Sequence, residues 1–437
     1  MNIYIETYGC SANQSESEMM AGMLARSGFH ITGSMDAADI LIINTCVVKK
    51  PTEDKILERL RQLSAKYPEK KILVAGCMPE VLPEKIREAA PQASMLGTHY
   101  IADVSNVIKK LSDGISVEKV GKTQKEKLCL PRIRKNDSIA IVPISSGCLS
   151  NCSYCIVKRV KGSLFSYSNE KIIREILSAK KAGCKEFWLT AQDCGCYGLN
   201  AEADKKGNGL PELLKSIVSI VPGKYWLRVG MLNPRHLKKI CPELIEAYKD
   251  EHIFKFLHLP VQSGSNATLE KMKRGYTVKD FKKIVSAFER ELPSLQLWTD
   301  VIVGFPGETD EDFFATYELI KDIKPDFVNV SKFGARPGTA AEKMTPVSAD
   351  VIKNRSKVLS ELVDSIAIEK NRQWKGWSGP VLIDEYNPEK KSWIGRNFAY
   401  KPVVLQEKCM LGQLACVKII STGRVLKAEL APIYNNF

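Results

Sequence analysis

The chain carries the run Ser146-Gly147-Cys148-Leu149-Ser150-Asn151-Cys152-Ser153-Tyr154-Cys155. Its cysteines, Cys148, Cys152 and Cys155, supply three thiolates where a four-iron cluster has four irons to ligate, so one iron stays open to a substrate or cofactor. The spacing, three residues and then two, lets one short loop wrap a cluster face. Tetrahedral zinc sites usually pair two cysteine knuckles or mix cysteine with histidine, so the spacing favours iron–sulfur. Free cysteines are the alternative, but they seldom cluster without a metal or redox role.

This motif resembles the signature of the radical S-adenosylmethionine (SAM) enzymes. The resemblance implies that the open iron binds the amino and carboxylate groups of SAM. It also implies that reduction of the cluster cleaves the sulfonium to a 5′-deoxyadenosyl radical.

Length and composition limit the class of protein. With 437 residues, 44% hydrophobic and 26% charged, the chain has room for about three globular domains. No apolar run approaches the roughly 18 residues that span a bilayer, and no charged-then-apolar leader opens the chain, so we expect a cytoplasmic protein without a membrane partner. The net charge of +14 favours nucleic acid as partner without establishing it. The 13 cysteines favour metal binding in a reducing compartment over disulfides.

The first ~110 residues alternate short apolar strands with amphipathic helices, the pattern of a parallel sheet covered by helices. Predicted strands at residues 2–8, 39–44 and 71–75 are each followed by a cysteine: Cys10, Cys46 and Cys77. Ligands of open parallel sheets sit beyond the carboxyl ends of the strands. Three strands would therefore bring three thiols to one edge of one sheet, although buried cysteines acting as small hydrophobes are the alternative.

A second strand-and-helix series begins at Ser138. Strands are predicted at residues 139–144, 186–190, 225–229, 254–258, 295–303 and 327–333, with helices such as 169–181 and 309–323 between them. Six alternating units that start just before the cysteine run predict a partial (β/α) barrel, whose chemistry gathers at the carboxyl ends of its strands.

The two remaining segments are basic. Residues 113–137 are polar and lysine-rich, which indicates a solvated linker or one that also contacts an RNA backbone. After a predicted helix over 349–374, the tail has short β-like runs, with eleven Lys or Arg against five Asp or Glu from Lys370 onward. Aromatic residues interleave with this charge, as on a nucleic-acid face, although they could equally form the core of a small β-barrel.

The cysteine-ended strands, the Cys148/Cys152/Cys155 loop and the basic tail together resemble the methylthiotransferases of the radical SAM superfamily. Further matching segments are residues 258–265, 272–277, 299–309 and 335–339. The resemblance implies two [4Fe-4S] clusters, one of them held in the N-terminal domain by Cys10, Cys46 and Cys77. It also implies that the tail is a TRAM RNA-binding domain.

The strand-and-helix pattern and the resemblance together predict an α/β fold. We expect an N-terminal open parallel sheet domain at residues 1–112, a basic linker at 113–137, a partial (β/α)6 radical SAM barrel at 138–370 and a TRAM β-barrel at 371–437.

Within the family the chain is most similar to the archaeal and eukaryotic branch, which methylthiolates N6-threonylcarbamoyladenosine next to the anticodon of tRNA. The supporting segments are residues 7–14, 44–49, 130–136 and 188–193. Position 2 of adenine offers only an unactivated C–H bond, so a carbon-centred radical is needed there. The resemblance implies that SAM serves twice, once to methylate sulfur and once to supply the radical. The expected partners are a tRNA anticodon stem-loop, a low-potential electron donor and a sulfur donor.

Four residues near predicted strand ends are candidate SAM contacts: Gln192, Gln262, Ser263 and Gly304. For each of them a local structural role is the alternative, a strand cap, a connecting turn or the start of a helix. Cys194 and Cys196 are expected not to be ligands, because six ligands are already assigned. His236 and His258 lack metal-ligand spacing.

Other functions fit the same sequence features. The sister activities act on isopentenyladenosine in tRNA or on an aspartate of a ribosomal protein. A non-catalytic iron–sulfur protein that binds RNA or transfers electrons is the alternative from another class.

Overall fold

The N-terminal lobe (residues 2–119) is built on a six-stranded parallel sheet. The computed structural model describes residues 1–123, 126–200 and 209–432. The strand order is β2-β1-β3-β4-β5-β6, and every neighbouring pair is parallel. The strands are β1 (Asn2–Thr7), β2 (His30–Ile31), β3 (Ile40–Thr45), β4 (Lys71–Gly76), β5 (Ser94–Gly97) and β6 (Glu118–Lys119). The helices are α1 (Ser11–Arg26), α2 (Lys50–Lys66), α3 (Pro83–Ala89) and α4 (Val104–Ser112).

Strand β3 lies at the centre of this lobe because it is apolar on both faces. Ile40 and Ile42 pack into the core that α1 and α4 cover, whereas Leu41 and Ile43 pack into the core under α2 and α3. Successive side chains of a strand point to opposite faces, so an uninterrupted apolar run suits a sheet covered on both sides. The three predicted strands are confirmed, and β2, β5 and β6 are additional.

The segment that leads out of the lobe crosses over α1. A Cβ on Gly22 would lie 2.3 Å from the backbone nitrogen of Arg132, so only glycine allows this crossing. The side chains of Lys127 and Arg132 are buried there, Lys127 against Glu16 and Arg132 in an ion pair with Glu175. The predicted solvated linker is therefore wrong at these two residues, because each forms an ion pair with a buried carboxylate. Lys125 of the linker lies outside the described residues.

The central barrel (residues 139–332) holds six parallel strands in two sheets, ordered β11-β10-β7 and β12-β13-β14. A bridge between Leu227 and Ile253 joins the two sheets. The six strands are β7 (Ile139–Pro143), β10 (Glu186–Thr190), β11 (Trp226–Val229), β12 (Phe256–His258), β13 (Gln296–Val303) and β14 (Phe327–Lys332). Two short strands, β8 (Ser145–Ser146) and β9 (Phe165–Ser166), form a separate antiparallel pair.

Helices follow the strands of the central barrel. They are α5 (Val157–Lys161), α6 (Asn169–Lys181), α7 (Leu210–Ile220), α8 (Pro234–Leu237), α9 (Cys241–Tyr248), α10 (Asn266–Lys271), α11 (Val278–Glu291) and α12 (Asp310–Ile323). Thr309 and Asp312 form a reciprocal capping box at the start of α12, so the predicted helix start is confirmed.

A long helix, α13 (Ala349–Arg372), leads to a closed five-stranded barrel, the tail barrel (residues 378–430). Its strands are β15 (Ser378–Asn387), β16 (Ser392–Arg396), β17 (Pro402–Leu405), β18 (Leu414–Ser421) and β19 (Leu426–Leu430). Buried Tyr400 of the tail barrel packs against Phe254 and Phe256 of the central barrel, so the two barrels are in direct contact. The predicted fold class is therefore confirmed: an open parallel α/β sheet, a partial (β/α) barrel and a small β-barrel.

Within the described ranges, none of the helices has the combination of length and apolar composition that crossing a lipid bilayer requires.

Candidate iron–sulfur site between two sheets

The first cysteine trio lies at the carboxyl edge of the N-terminal sheet. Cys10 follows β1, Cys46 follows β3 and Cys77 follows β4, and these three strands are neighbours in the sheet. Parallel neighbours end at the same edge, so three residues far apart in sequence converge there.

Two glycines and one asparagine allow this convergence. A Cβ on Gly9, whose φ is +112°, would lie 2.6 Å from the Cβ of Cys46. Asn13 reaches into the trio, with its Oδ1 3.3 Å from Cys10 Sγ and its Nδ2 4.0 Å from Cys77 Sγ. Gly76, at φ +92°, leaves room for the Asn44 side chain. The strand-end loops thus require glycine where the backbones approach closely.

The second trio lies on the loop after β8. Gly147 has φ +76°, and a Cβ there would lie 2.0 Å from the carbonyl oxygen of Ser163, so the loop can fold back only with glycine. Buried Arg274 places Nη1 3.3 Å from Cys152 Sγ and 3.4 Å from the Tyr154 hydroxyl. A cation beside a thiolate stabilises it, so Arg274 supports metal ligation by this loop.

Both trios line one cavity of about 840 Å³. The cysteines on its wall are Cys10, Cys46, Cys77, Cys148, Cys152 and Cys155. The carboxyl edge of the N-terminal sheet faces the carboxyl edge of the central barrel, and the hydroxyls of Ser11 and Thr190 lie 3.1 Å apart across the junction. The two sets of thiols predicted from separate patterns therefore share one chamber.

A buried charge triad lies behind the first trio. Glu16 Oε1 accepts hydrogen bonds from Lys127 Nζ and Lys161 Nζ, both at 2.8 Å. Burial opposes ionisation of Glu16, but the two ammonium groups hold the pKa of this carboxyl down at about 2. Two ammonium groups against one carboxylate leave a positive charge, and the ammonium group of Lys161 opposes the effect of burial on the pKa of the Cys46 and Cys77 thiols.

The protonation of the thiols depends on what they bind. Burial raises the pKa of Cys77 and of Cys155 to about 12, and it also raises the pKa of Cys46. A hydrogen bond with Cys196 instead lowers the pKa of Cys148. Buried neutral thiols become thiolates when a metal coordinates them, since the cation outweighs the cost of burial. The donor set, three sulfurs to a trio, thus fits two four-iron clusters with one open iron each.

Two known protein families match this chain, one over most of the N-terminal lobe and the other over most of the central barrel. Residues 2–97 match the family described as "Uncharacterized protein family UPF0004", and residues 142–320 match the "Radical SAM superfamily". Each match contains one complete cysteine trio.

Relatives of high similarity cover most of the chain. A probable threonylcarbamoyladenosine tRNA methylthiotransferase of Pyrococcus horikoshii is 43% identical over 93% of this chain and 94% of that protein. The Methanothermobacter thermautotrophicus protein of the same name is 40% identical over the same shares. The human threonylcarbamoyladenosine tRNA methylthiotransferase is 35% identical over 97% of this chain and 72% of the human protein.

The chain belongs to the threonylcarbamoyladenosine tRNA methylthiotransferase family. The resemblance to radical SAM methylthiotransferases, and with it the expectation of an enzyme of the transferase class, is confirmed.

Solved structures share the fold of this methylthiotransferase. The radical SAM methyltransferase TsrM from Kitasatospora setae, with cobalamin and a [4Fe-4S] cluster bound, aligns with a TM-score of 0.58. The sequences are 13% identical over 78% of this chain and 73% of that chain. The cobalamin-dependent SAM radical enzyme OxsB aligns with a TM-score of 0.55 at 13% identity, over 82% of this chain and 56% of OxsB.

The four candidate SAM contacts of this methylthiotransferase occupy two kinds of position. Gln192 and Gln262 lie on the cavity wall. Ser263 lies behind that wall, with its hydroxyl 3.3 Å from Thr316, and the Gly304 N–H donates to Glu308 Oε2 at 2.8 Å. Gln262 has φ +73°, an uncommon conformation for a residue with a side chain, at a point where the backbone bridges to Val301.

One group beside the second trio was missed by sequence reasoning. Potential ligand atoms of Asp193, Cys196 and His236 lie within 4.8 Å of one another, with Asp193 Oδ2 2.7 Å from His236 Nδ1. Asp193 Oδ1 also accepts the N–H groups of Gly195 and Asn233, so the carboxylate anchors the loop after β10. Spacing could not reveal this group because His236 comes from α8, whereas Asp193 and Cys196 share the loop after β10.

Proposed function

We propose that this protein inserts a methylthio group at C2 of N6-threonylcarbamoyladenosine next to the anticodon of tRNA. The observation that carries the proposal is the shared cavity, which brings six cysteines in two trios to one place. Sulfur insertion at an unactivated C–H bond needs a radical source and a sulfur source in one chamber. The names of the relatives support the choice of nucleoside.

The six cysteines would hold two [4Fe-4S] clusters. Cys148, Cys152 and Cys155 are proposed to ligate the cluster that binds SAM. The auxiliary cluster would be ligated by the first trio, Cys10, Cys46 and Cys77. Together the bound clusters and SAM supply a 5′-deoxyadenosyl radical and a methylated sulfur. The protein positions, shields and tunes these groups.

Several side chains carry out these tasks at the second trio. Arg274 places a positive charge at Cys152 and holds the Tyr154 hydroxyl, while the Tyr154 ring packs edge-on against Phe305 and limits access of water. Gln192 and Gln262 are proposed to contact SAM from the cavity wall. Ser263 and Gly304 would act from behind it by fixing the two strand-end turns.

The charge triad sets the electrostatics at the first trio. Three thiolates at one sheet edge repel one another, and the net positive charge of Glu16, Lys127 and Lys161 opposes that repulsion. The triad also excludes water, because all three side chains are buried.

The other expected partners belong to the same proposal. Residues 371–437 would act as a TRAM domain that binds the anticodon stem-loop, although residues 433–437 lie outside the described part of the chain. Residues 1–112 and 138–370 would be the two cluster-bearing domains. The reaction needs a low-potential electron donor and a sulfur donor, and we place it in the cytoplasm.

Nucleoside mass spectrometry of tRNA from cells that lack the gene tests the proposal. The methylthiolated threonylcarbamoyl nucleoside should disappear, and its unmethylthiolated precursor should accumulate. An unchanged level would contradict the choice of nucleoside, and a loss of methylthiolated isopentenyladenosine would support the sister activity. Reduced protein should also release 5′-deoxyadenosine from SAM, which a non-catalytic iron–sulfur protein would not do.

A further inference from the structure

Lys49 of the N-terminal lobe reaches across the cavity to the central barrel. It precedes α2, three residues after Cys46, and its Nζ lies 3.4 Å from Asn329 Oδ1 of β14. Both residues line the cavity. A lysine from one lobe thus ends among the strand ends of the other.

The barrel side of this contact is a fixed polar frame. Asn329 Nδ2 donates to Asp300 Oδ1 at 2.9 Å, and His258 Nε2 lies 3.1 Å from Asp300 Oδ2. Burial opposes ionisation of Asp300, but the hydrogen bond and charge of His258 together with Asn329 lower the pKa of this carboxyl. Asp300 also lines the cavity, so an oriented carboxylate faces the space beside Lys49.

The charge of Lys49 lacks a close counterion. Its neighbour Lys50 forms ion pairs with Glu53 at 3.1 Å and with Asp54 at 2.5 Å. Among the described residues, the ammonium group of Lys49 hydrogen-bonds only to the neutral amide of Asn329, and no carboxylate lies within 4.0 Å of it. Asp300 influences it from a greater distance. An ammonium group of this kind, on the wall of a cavity, is available to an anionic oxygen of a ligand.

We propose that Lys49, Asn329 and Asp300, the Lys49 patch, bind the threonylcarbamoyl group of the substrate nucleoside. This inference rests on the proposed function. The threonylcarbamoyl group has a carboxylate for the Lys49 ammonium, and ureido N–H and hydroxyl groups that can donate to Asp300. The isopentenyl group has none of these. A patch with one cation and one oriented carboxylate therefore selects the polar nucleoside, because the Lys49 ammonium would stay without a counterion against a hydrocarbon.

The opposing reading is that Lys49 contacts a phosphate of the RNA backbone. Such a contact adds affinity for every RNA alike and carries no information about the nucleoside. The two readings are separated by whether loss of the charge weakens binding of one RNA or of all.

The test is equilibrium binding of anticodon stem-loop RNA to the full-length, anaerobically reconstituted protein. Three RNAs of one sequence are compared, bearing threonylcarbamoyladenosine, its carboxylate methyl ester, or unmodified adenosine at the target position. The wild type should bind the first about tenfold or more tightly than the other two, as expected for one charge-assisted hydrogen bond. Lys49→Gln should lose this preference, and Lys49→Arg should retain it.

Matched variants control for charge and for folding. Lys66→Gln removes the same charge from the far end of α2, where the lysine is exposed, and should keep the preference. Asn329→Ser should weaken the preference, because Asn329 orients both Lys49 and Asp300. Equal weakening of all three RNAs by Lys49→Gln, or no change, overturns the inference. A wild type that does not methylthiolate the threonylcarbamoyl RNA would instead contradict the proposed function.

Discussion

The hydroxyl group of Ser11, next to Cys10, lies 3.1 Å from the hydroxyl group of Thr190 at the end of β10. This contact joins the carboxyl edge of the N-terminal sheet to the carboxyl edge of the central barrel. Each edge is where its own fold presents ligands, so the junction makes one chamber from two sites.

Removal of one ligand from the second trio should abolish SAM cleavage. Wild-type protein should contain about eight irons per chain after anaerobic reconstitution, and Cys152→Ala about four, because only the first trio stays complete. Iron analysis and chromatography of 5′-deoxyadenosine check this. Cys416→Ala, in the tail barrel, should match the wild type in both. Full iron content in Cys152→Ala would exclude it as a ligand.

Removal of one ligand from the first trio should separate the two halves of the reaction. Cys46→Ala should still release 5′-deoxyadenosine from SAM, since the second trio is intact, but should form no methylthiolated nucleoside. Both products can be measured in one reaction by mass spectrometry. If methylthiolation continues, the first trio has no part in sulfur transfer.

Glu16→Gln should destabilise the protein by about 3–5 kcal/mol, because it leaves Lys127 and Lys161 buried without their counterion. The folded-state pKa of Glu16 is about 2, below its ordinary value of 4.5. Its stabilising contribution is therefore complete above about pH 4.5 and is lost as the pH falls towards 2.

Urea unfolding of the wild type and Glu16→Gln over this pH range measures that contribution. The difference between them should shrink as the pH falls. Glu58→Gln, at an exposed pair with Arg61, should cost less than about 1 kcal/mol at every pH. A difference that is independent of pH would mean that the carboxylate charge is not what stabilises the triad.

Arg336→Gln should loosen the junction between α2 and the central barrel. Arg336 and Glu53 form a buried ion pair there, and Glu53 keeps Lys50 and Lys85 as partners when Arg336 is removed. We expect a loss of about 1.5–3 kcal/mol, the value of a hydrogen bond to a charged group. Hydrogen exchange of α2 should quicken. Lys85→Gln, at the half-exposed partner, should have a smaller effect, and equal exchange in both variants would contradict this account.

Tyr386→Ala should weaken tRNA binding by about tenfold, since base stacking on an aromatic ring contributes about 1–3 kcal/mol. Tyr386 is 43% exposed on the tail barrel, with its ring centroid 4.7 Å from that of Trp393. Filter binding with tRNA measures the effect, and SAM cleavage without RNA should not change. Phe314→Ala, at an aromatic residue of α12 that is 62% exposed, is the control. Equal losses in both would indicate non-specific binding.

The strands and the six cysteines could be predicted from the sequence because each is a local signal. The apolar runs of β3 and β4 end directly before Cys46 and Cys77, and helix starts such as Thr309 have their own capping residues. The rule that parallel strands present ligands at one edge then converts these positions into a site.

Contacts between polar residues that are distant in sequence could not be predicted in this way. Lys127 lies in a segment with the composition of a solvated linker. Only the fold brings its ammonium group into contact with the Glu16 carboxylate. The same holds for Arg336 on Glu53 and for Lys49 beside Asn329, since each pair joins two lobes. Ser263 and Gly304 lie behind the cavity wall because the backbone turns after each strand. The rule that ligands bind at strand ends does not predict which residues of such a turn reach the cavity.

The Glu16 triad also sets an order for folding on the ribosome. Glu16 is synthesised early, but its partners come 111 and 145 residues later along the chain. Until Lys161 has emerged, a nascent N-terminal lobe would bury a carboxylate that is only partly neutralised. We therefore expect the lobe to complete its folding only after Lys161, and with it the second cysteine loop, has been translated.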